Sequence, residues 1–237
     1  MMIKTTNLTK NFGKLTAVNN VNLKVNDNEC FALLGLNGAG KTTLINMLTT
    51  TLVPTSGSAL INGLDLIKNR DEIRKIVNIS PQESAVAKNL STKENLELIT
   101  TLYGIKNASQ KIADTINEFG LQEKENVLCK KLSGGQLRRV SIALAIITEP
   151  KILFLDEPTL GLDVKARKTL WDIIKSLKNK MTIILTTHYL EEVESLADSI
   201  AIISRGEIKA QGSLADILKE TNTKSLEQAF LALSEEE

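Results

Sequence analysis

Four short apolar runs constrain this chain more than any other feature: CFALLG (Cys30–Gly35), ILFLDE (Ile152–Glu157), TIILTT (Thr182–Thr187) and IAIIS (Ile200–Ser204). Each is continuous rather than alternating, and each stops on glycine or polar residues. A strand with one wet face alternates, because successive side chains point to opposite sides. A continuous run needs cover on both faces, which is the condition of a parallel strand in a layered fold. Helical patterns fall between the runs, over Lys41–Thr51, Gly135–Thr148, Lys165–Lys178 and Leu190–Ala197. This alternation predicts an α/β fold with a mainly parallel core sheet and ligands at the carboxyl ends of its strands.

Other stretches obey different rules. From Val21 to Val25 apolar and polar residues alternate, which predicts a half-buried strand. SALINGLDL (Ser58–Leu66) holds Asn62–Gly63 between apolar residues, a hairpin signal. Antiparallel strands are therefore expected in the N-terminal third. From about Ser84 to Lys131 there is no strong strand, and Ser91 is followed three residues later by Glu94, a capping-box pattern. A helical insertion is expected here, reaching about residue 140 with the helix that comes after it. A hairpin at Arg205–Gly206 precedes two short helices over about 213–237. The 237 residues read as one domain.

The net charge of +1 provides no bulk field for nucleic acid or anionic lipid. The two cysteines, Cys30 and Cys129, lie far apart and form no C-x-x-C pattern, so reduced thiols are expected. The first residues, MMIKTTNLTK, lack the apolar core of a signal peptide. Stretches such as IALAII (Ile142–Ile147) are too short to span a bilayer.

GLNGAGKT (Gly35–Thr42) matches G-x-x-x-x-G-K-[ST], comes after an apolar run and precedes a helical pattern. At average glycine usage of about 7%, a chance match in this length is on the order of one in a hundred. Glycines let the backbone curl so that N–H groups face phosphate oxygens, and the next helix adds its positive dipole end. Lys41 is expected to reach the β- and γ-phosphates, and Thr42 to offer its hydroxyl to Mg²⁺. The candidate nucleotide cradle is Gly35, Asn37, Gly38, Ala39, Gly40, Lys41, Thr42 and Thr43.

Asp156 and Glu157 end the ILFLDE run. Acids also appear wherever a strand meets solvent, but beside a phosphate loop they acquire chemistry. Mg²⁺ prefers hard oxygen ligands, so Asp156 is placed near the metal, and Glu157 near the attacking water. His188, the one histidine, comes directly after TIILTT and falls on the same sheet edge; a lone histidine is otherwise most often structural. Gln82 in NISPQE offers a neutral amide for Mg²⁺, water or γ-phosphate.

A second glycine-marked helix start lies in KKLSGGQLRR (Lys130–Arg139). Ser133 is a plausible N-cap, and Gly134 and Gly135 clear side chains from the helix start. Each costs about 1 kcal/mol inside a helix, so a plain cap would not need both. Lys130, Lys131, Arg138 and Arg139 read as a solvated face or an interface rim.

GLNGAGKT, PQE, LSGGQ, ILFLDEP, GLD and the histidine of TTHYLEE stand in the order and context of ATP-binding cassette (ABC) ATPases, and the chain resembles that family over essentially its whole length. The resemblance implies a P-loop NTPase of the ABC type, with an N-terminal antiparallel β-subdomain and an inserted α-helical subdomain. It implies ATP and Mg²⁺, with Glu157, His188 and Gln82 catalytic and Thr42, Gln82 and Asp156 at the metal. Phe12 falls where the family stacks an aromatic, usually Tyr, on adenine; a place in a small N-terminal core is its other reading. Ser133, Gly134, Gly135 and Gln136 of one subunit would cap the γ-phosphate held by another, in a head-to-tail homodimer or with a paired ATPase subunit. Asp163 resembles the loop that signals across such a dimer, and Thr92–Leu96 the segment near a membrane partner.

The phosphate-loop region, LYGI and SLEQAFLALS further resemble the ABC-2 type exporter branch. That implies a transmembrane permease partner, a cytoplasmic place on the inner face of the cell membrane and no nucleic acid. An importer subunit is the nearer alternative, and a soluble cassette acting on a macromolecular complex the more distant one. Leu226, Phe230 and Leu233 fall on one helical face, as core or as a partner contact.

Overall fold

The computed structural model describes residues 1–235. The strands β1 (Ile3–Phe12), β2 (Leu15–Val21), β3 (Lys24–Val25) and β4 (Cys30–Leu34) come first, and then α1 (Lys41–Leu48). Next are β5 (Ser56–Ile61), β6 (Leu64–Asp65), α2 (Arg70–Ile76) and β7 (Val77–Ser80). A helical stretch carries α3 (Thr92–Leu102), α4 (Ala108–Glu118) and α5 (Gly134–Ile146). The chain then alternates through β8 (Ile152–Asp156), α6 (Val164–Leu177), β9 (Thr182–Thr187), α7 (Leu190–Leu196) and β10 (Ser199–Ser204). It ends in β11 (Glu207–Gly212), α8 (Leu214–Glu220) and α9 (Leu226–Glu235).

The four apolar runs are β4, β8, β9 and β10, and they sit together in one sheet of order β11-β10-β4-β9-β8-β7. All pairs from β10 to β7 are parallel, and β11 closes the edge antiparallel. Every residue of β4, β8 and β9 is buried. The reason is cover on both faces: Leu153 and Leu155 pack with Ile142, Leu170 and Ile174 on one side. Phe154 packs with Leu44, Met47 and Phe31 on the other, beneath the second sheet.

That second sheet is antiparallel, of order β2-β1-β5-β6 with β3 beside β1. Asn62 and Gly63 join β5 to β6 with φ of 51° and 78°, the two positive values that a tight mirror-image turn requires. The strand expected over Val21–Val25 is split. Val21, Leu23 and Val25 keep their buried alternation, but β2 ends at Val21 and β3 begins at Lys24. Between them the Thr5 hydroxyl donates to Val21 O (2.8 Å) and accepts from Leu23 N (2.7 Å), replacing ladder bonds where the chain bends.

β7 and α2 fall where no element was expected. β7 is a four-residue edge strand with only Ser80 fully buried, and α2 buries only Ile73. The Arg205–Gly206 hairpin and the two closing helices are present. Leu226 and Phe230 are buried and Leu233 packs against the same cluster, with Ala32 and Ile202. They are core, and the partner-contact reading of that face is set aside. Cys30 and Cys129 are free and buried. Burial pushes the Cys30 thiol up to about 12. Among the described residues no helix is long and apolar enough to cross a membrane.

Candidate functional site

The parallel strands end on one edge, where the loops after β4, β7, β8 and β10, with the β1–β2 hairpin, build a cleft of about 710 Å³. The first loop, Gly35–Gly40, joins β4 to α1. Gly40 has φ 104°, and a Cβ there would stand 2.4 Å from Ala17 O. No other residue fits, because the start of α1 is pressed against β2. Asn37, Gly38, Gly40, Lys41, Thr42 and Thr43 line the cleft. Gly35 and Ala39 are buried behind it.

Lys41 is only 5% exposed. Its Nζ donates to Gly35 O (2.7 Å) and Leu36 O (3.1 Å) and stands 3.4 Å from Glu157 Oε1. Thr42 Oγ1 donates to Asp156 Oδ2 at 3.1 Å, and the Thr186 hydroxyl donates to Asp156 Oδ1. The carboxylate of Asp156 is thus aimed from the end of β8 at the start of α1. A hydroxyl and one carboxylate suit Mg²⁺, which keeps waters and takes substrate oxygens as its remaining ligands. Among the described residues no three acidic, histidine or cysteine side chains form a closed metal cage.

Glu157 has φ 44°, a left-handed conformation that costs a non-glycine residue energy. Its N–H donates to Thr186 O (3.1 Å) and Oγ1 (3.0 Å), which hold the turn. The turn directs the carboxylate into the cleft wall. His188 Nδ1 lies 3.4 Å from the same Glu157 Oε1 and makes no hydrogen bond. Lys41, Asp156, Glu157 and His188 are therefore one constellation, on the edge where the sequence put them. Gln82, in the loop after β7, also lines the cleft, beside the loop that carries Glu157 because β7 pairs with β8. Phe12 is 48% exposed at the cleft mouth with Lys10 Nζ 5.2 Å from its ring centre, so the N-terminal-core reading does not hold.

Ser133–Gln136 is elsewhere: none of the four lines the cleft. Ser133 Oγ accepts from Gln136 N (3.3 Å) and Gln136 Oε1 accepts from Ser133 N (3.0 Å), a complete capping box on an exposed helix start. The two glycines differ. A Cβ on Gly135 would meet Ala166 Cβ at 2.8 Å, so close packing of α5 on α6 explains it. A Cβ on Gly134 would find its nearest atom, of Leu162, at 4.0 Å, so nothing inside the chain requires that glycine.

The basic cluster needs correction. Arg138 is 4% exposed, and all its hydrogen-bond partners are backbone carbonyls. Burial lowers its pKa to about 10, opposed by the charges of Asp156 and Glu192, so it stays protonated at neutral pH. Arg139 donates to Phe119 O and Gly120 O. Only Lys130 and Lys131 remain a solvated face.

Two further residues escaped the sequence reading. Arg205 lines the cleft from the hairpin turn; a basic residue at a turn beside the sheet edge was the available signal. Glu192 is fully buried on α7, where Trp171 Nε1 donates to Oε1 at 3.3 Å. Burial raises its pKa, against the pull of Thr187, Thr159 and Trp171. In the string HYLEE it looks like any helix-surface acid.

Comparison with known proteins gives a consistent picture. A family model described as ABC transporter matches residues 18–160. The daunorubicin/doxorubicin resistance ATP-binding protein DrrA of Streptomyces peucetius is 38% identical over 218 residues, 91% of this chain. The chain spans 66% of that relative's own length and 13% of a Dictyostelium discoideum relative that it also matches. Among solved structures, an ATP-binding subunit of an ABC transporter superposes with a TM-score of 0.88 at 29% identity, covering 98% of this chain and 99% of that one. A dimeric ATP-binding cassette in a post-hydrolysis state, bound to ADP and Pi, superposes with a TM-score of 0.80 at 26% identity, covering 90% and 99%. The α/β architecture of two sheets with a helical insertion, the phosphate-loop cleft and the family match have one meaning: the chain belongs to the ABC transporter family.

Proposed function

We propose that this chain is the ATP-binding and ATP-hydrolysing subunit of a membrane exporter, one cassette domain with its helical insertion over about 84–140. The observation that carries the reading is the division of groups. Lys41, Thr42, Asp156 and Glu157 converge on one cleft, while the Ser133–Gln136 helix start faces outward with a glycine that nothing internal requires. A cleft holding half a site and an outward-facing helix start are complementary in a head-to-tail pair.

In that pair the loop Gly35–Thr43 wraps the phosphates, and Lys41 exchanges its carbonyl partners for the β- and γ-phosphate oxygens. Phe12, at the cleft mouth, stacks on adenine. Thr42, Asp156 and Gln82 would hold Mg²⁺, which when bound neutralises charge on the phosphates. Glu157 orients and polarises the attacking water, and His188, whose Nδ1 lies 3.4 Å from Glu157 Oε1 without a hydrogen bond, turns to the γ-phosphate when nucleotide is bound. Ser133–Gln136 of the second copy donates to the γ-phosphate from the far side. Moving a pair from 1:99 to 99:1 closed requires about 5.5 kcal/mol. Hydrogen bonds to charged groups contribute about 1.5–3 kcal/mol each, so one or two per site suffice. Hydrolysis removes the phosphate that they grip, and the pair reopens.

The dimeric, ADP-and-Pi-bound relative supports the pairing, and the drug-resistance relative favours export over import. The output would be taken by a separate transmembrane permease, which would hold the chain at the inner face of the membrane. Within Thr92–Leu96, Thr92, Asn95 and Leu96 are buried, so the surface that suits such a contact is further along: Leu98 and Leu102 of α3 and Tyr103 just after it are exposed.

Glu157→Gln tests the reading. The variant should bind ATP, lose about 10²–10⁴-fold in turnover and elute as a dimer only when ATP is present. A monomeric, fully active Glu157→Gln chain would refute both the role and the pairing.

A further inference from the structure

Arg138 lies in the second turn of α5, the helix that begins with Ser133–Gln136. Its guanidinium is planar, with five donors in a fixed fork, and the fork is spread over two loops. Nε donates to Pro158 O at 2.9 Å and Nη2 to Asp156 O at 2.8 Å. Nη1 donates to Pro81 O, and to Gln82 O at 3.3 Å. Glu157 is the residue between the first two carbonyls, and Gln82 carries one of the second pair. The loops that carry these two cleft residues are thus pinned to one side chain.

The choice of partners is informative. A buried cation needs its donors satisfied, and neutral carbonyls on one segment would do that. Arg138 divides its donors between two loops, and the segment it grips after β8 includes the strained φ of Glu157. Lysine cannot substitute, because an ammonium is a point charge that cannot span the two loops in one plane.

We propose that Arg138 is a positioning residue for ATP hydrolysis. It locks the Gln82 loop and the Glu157 loop to the helix that presents Ser133–Gln136, so that the water-orienting side of one site and the hook offered to the other move as one body. The proposal rests on the function given above.

Arg138→Lys and Arg138→Met in the full chain test it, with folding checked by circular dichroism and all assays run well below each variant's melting temperature. A fluorescent ATP analogue should bind within about twofold of the parent, while kcat for ATP falls tenfold or more. In a Gln82→Ala background, where only the Glu157 loop remains to be positioned, the Arg138→Lys penalty should be smaller than in the parent, because residues acting through one another are not additive. Folded Arg138→Lys protein turning over at the parent rate overturns the proposal. So does an undiminished penalty in the Gln82→Ala background, or loss of fold in both variants, which would assign Arg138 to stability alone. Failure of the underlying function looks different: the unmutated chain would not hydrolyse ATP, or Glu157→Gln would not alter turnover.

Discussion

Helices α3 and α5 begin alike. At α3, Ser91 Oγ accepts from Glu94 N at 3.2 Å and Glu94 Oε2 accepts from Ser91 N at 2.7 Å. At α5, Ser133 and Gln136 make the same reciprocal pair. The surroundings of the two caps differ. Ser91 is buried, is bridged to Leu128 and is succeeded by a fully buried Thr92, while Lys93 N donates to Glu125 O. Ser133 is exposed and is succeeded by two glycines. One cap is enclosed by its own fold; the other leaves helix-start N–H groups and a positive dipole end facing outward. The same hydrogen-bond pattern is structural in one place and available to an anion in the other, and the environment makes the difference.

The comparison breaks most visibly at Ser133→Arg. A long side chain there should obstruct the hook without touching the cleft. Loss of one or two charged hydrogen bonds is about 3 kcal/mol, roughly a hundredfold in pair closure and turnover. ATP affinity, measured by fluorescence with the single chain, should stay within about twofold. If nucleotide binding is lost instead, Ser133 serves its own chain's cleft and the contrast with Ser91 disappears.

Gly134→Ala and Gly135→Ala sharpen it further. Alanine at Gly134 has room and suits a helix, so the folded chain should gain about 0.4–1 kcal/mol, while ATP-driven pairing and kcat drop about tenfold, the equivalent of one weakened contact of about 1.4 kcal/mol. Alanine at Gly135 meets Ala166 and should lower stability by about 1–3 kcal/mol through overpacking. Thermal melts and turnover on both variants separate the two glycines. Gly134→Ala with full activity would reduce the outward-facing hook to an ordinary cap.

The same contrast shows what the sequence could convey. The continuous runs named β4, β8, β9 and β10 because burial on two faces leaves a compositional trace, and the phosphate loop is set by a local backbone need. Lys41, Asp156, Glu157 and His188 were legible together because each lies at or just beyond the end of a buried strand whose partners share one edge. β7 was not legible: an edge strand of four residues, three of them half-buried, has no period to read. Arg138 was misread for a related reason. Its partners are backbone carbonyls 18 to 57 residues away in the chain, and nothing in LRR distinguishes a buried fork from a solvated one. Glu192 was hidden in the same way among the acids of α7. The sequence marks the two glycines of LSGGQ alike, and only the packing shows that one of them has an internal cause.

Ser91→Ala is a smaller effect and its direction is opposite in kind. Removing an enclosed N-cap should cost about 1 kcal/mol, a fall of about 2–4 °C in Tm for a chain of this size. Turnover per folded molecule, assayed well below that Tm, should not change. A loss of kcat at Ser91 would mean that the enclosed cap also communicates with the cleft, and the division drawn between the two helix starts would be too sharp.

The smallest effect separates the two boxes by titration. The backbone N–H of Ser91, and then its hydroxyl, hold the Glu94 carboxyl below its ordinary value of 4.5. A depressed folded-state pKa stabilises above the unfolded value, and that stabilisation is lost as pH falls through the folded one. Gln136, in the equivalent position of α5, carries no titrating proton. Acid should therefore loosen the α3 cap and leave the α5 cap intact. Glu94→Gln converts the first box into the second: the parent chain should be the more stable at pH 7, and the gap should close as pH drops below 4.5. Urea midpoints for both chains from neutral pH into the acid range measure it. A gap independent of pH would show that Glu94 contributes to its cap as a neutral acceptor would, and that the two helix starts are alike in charge as well as in geometry.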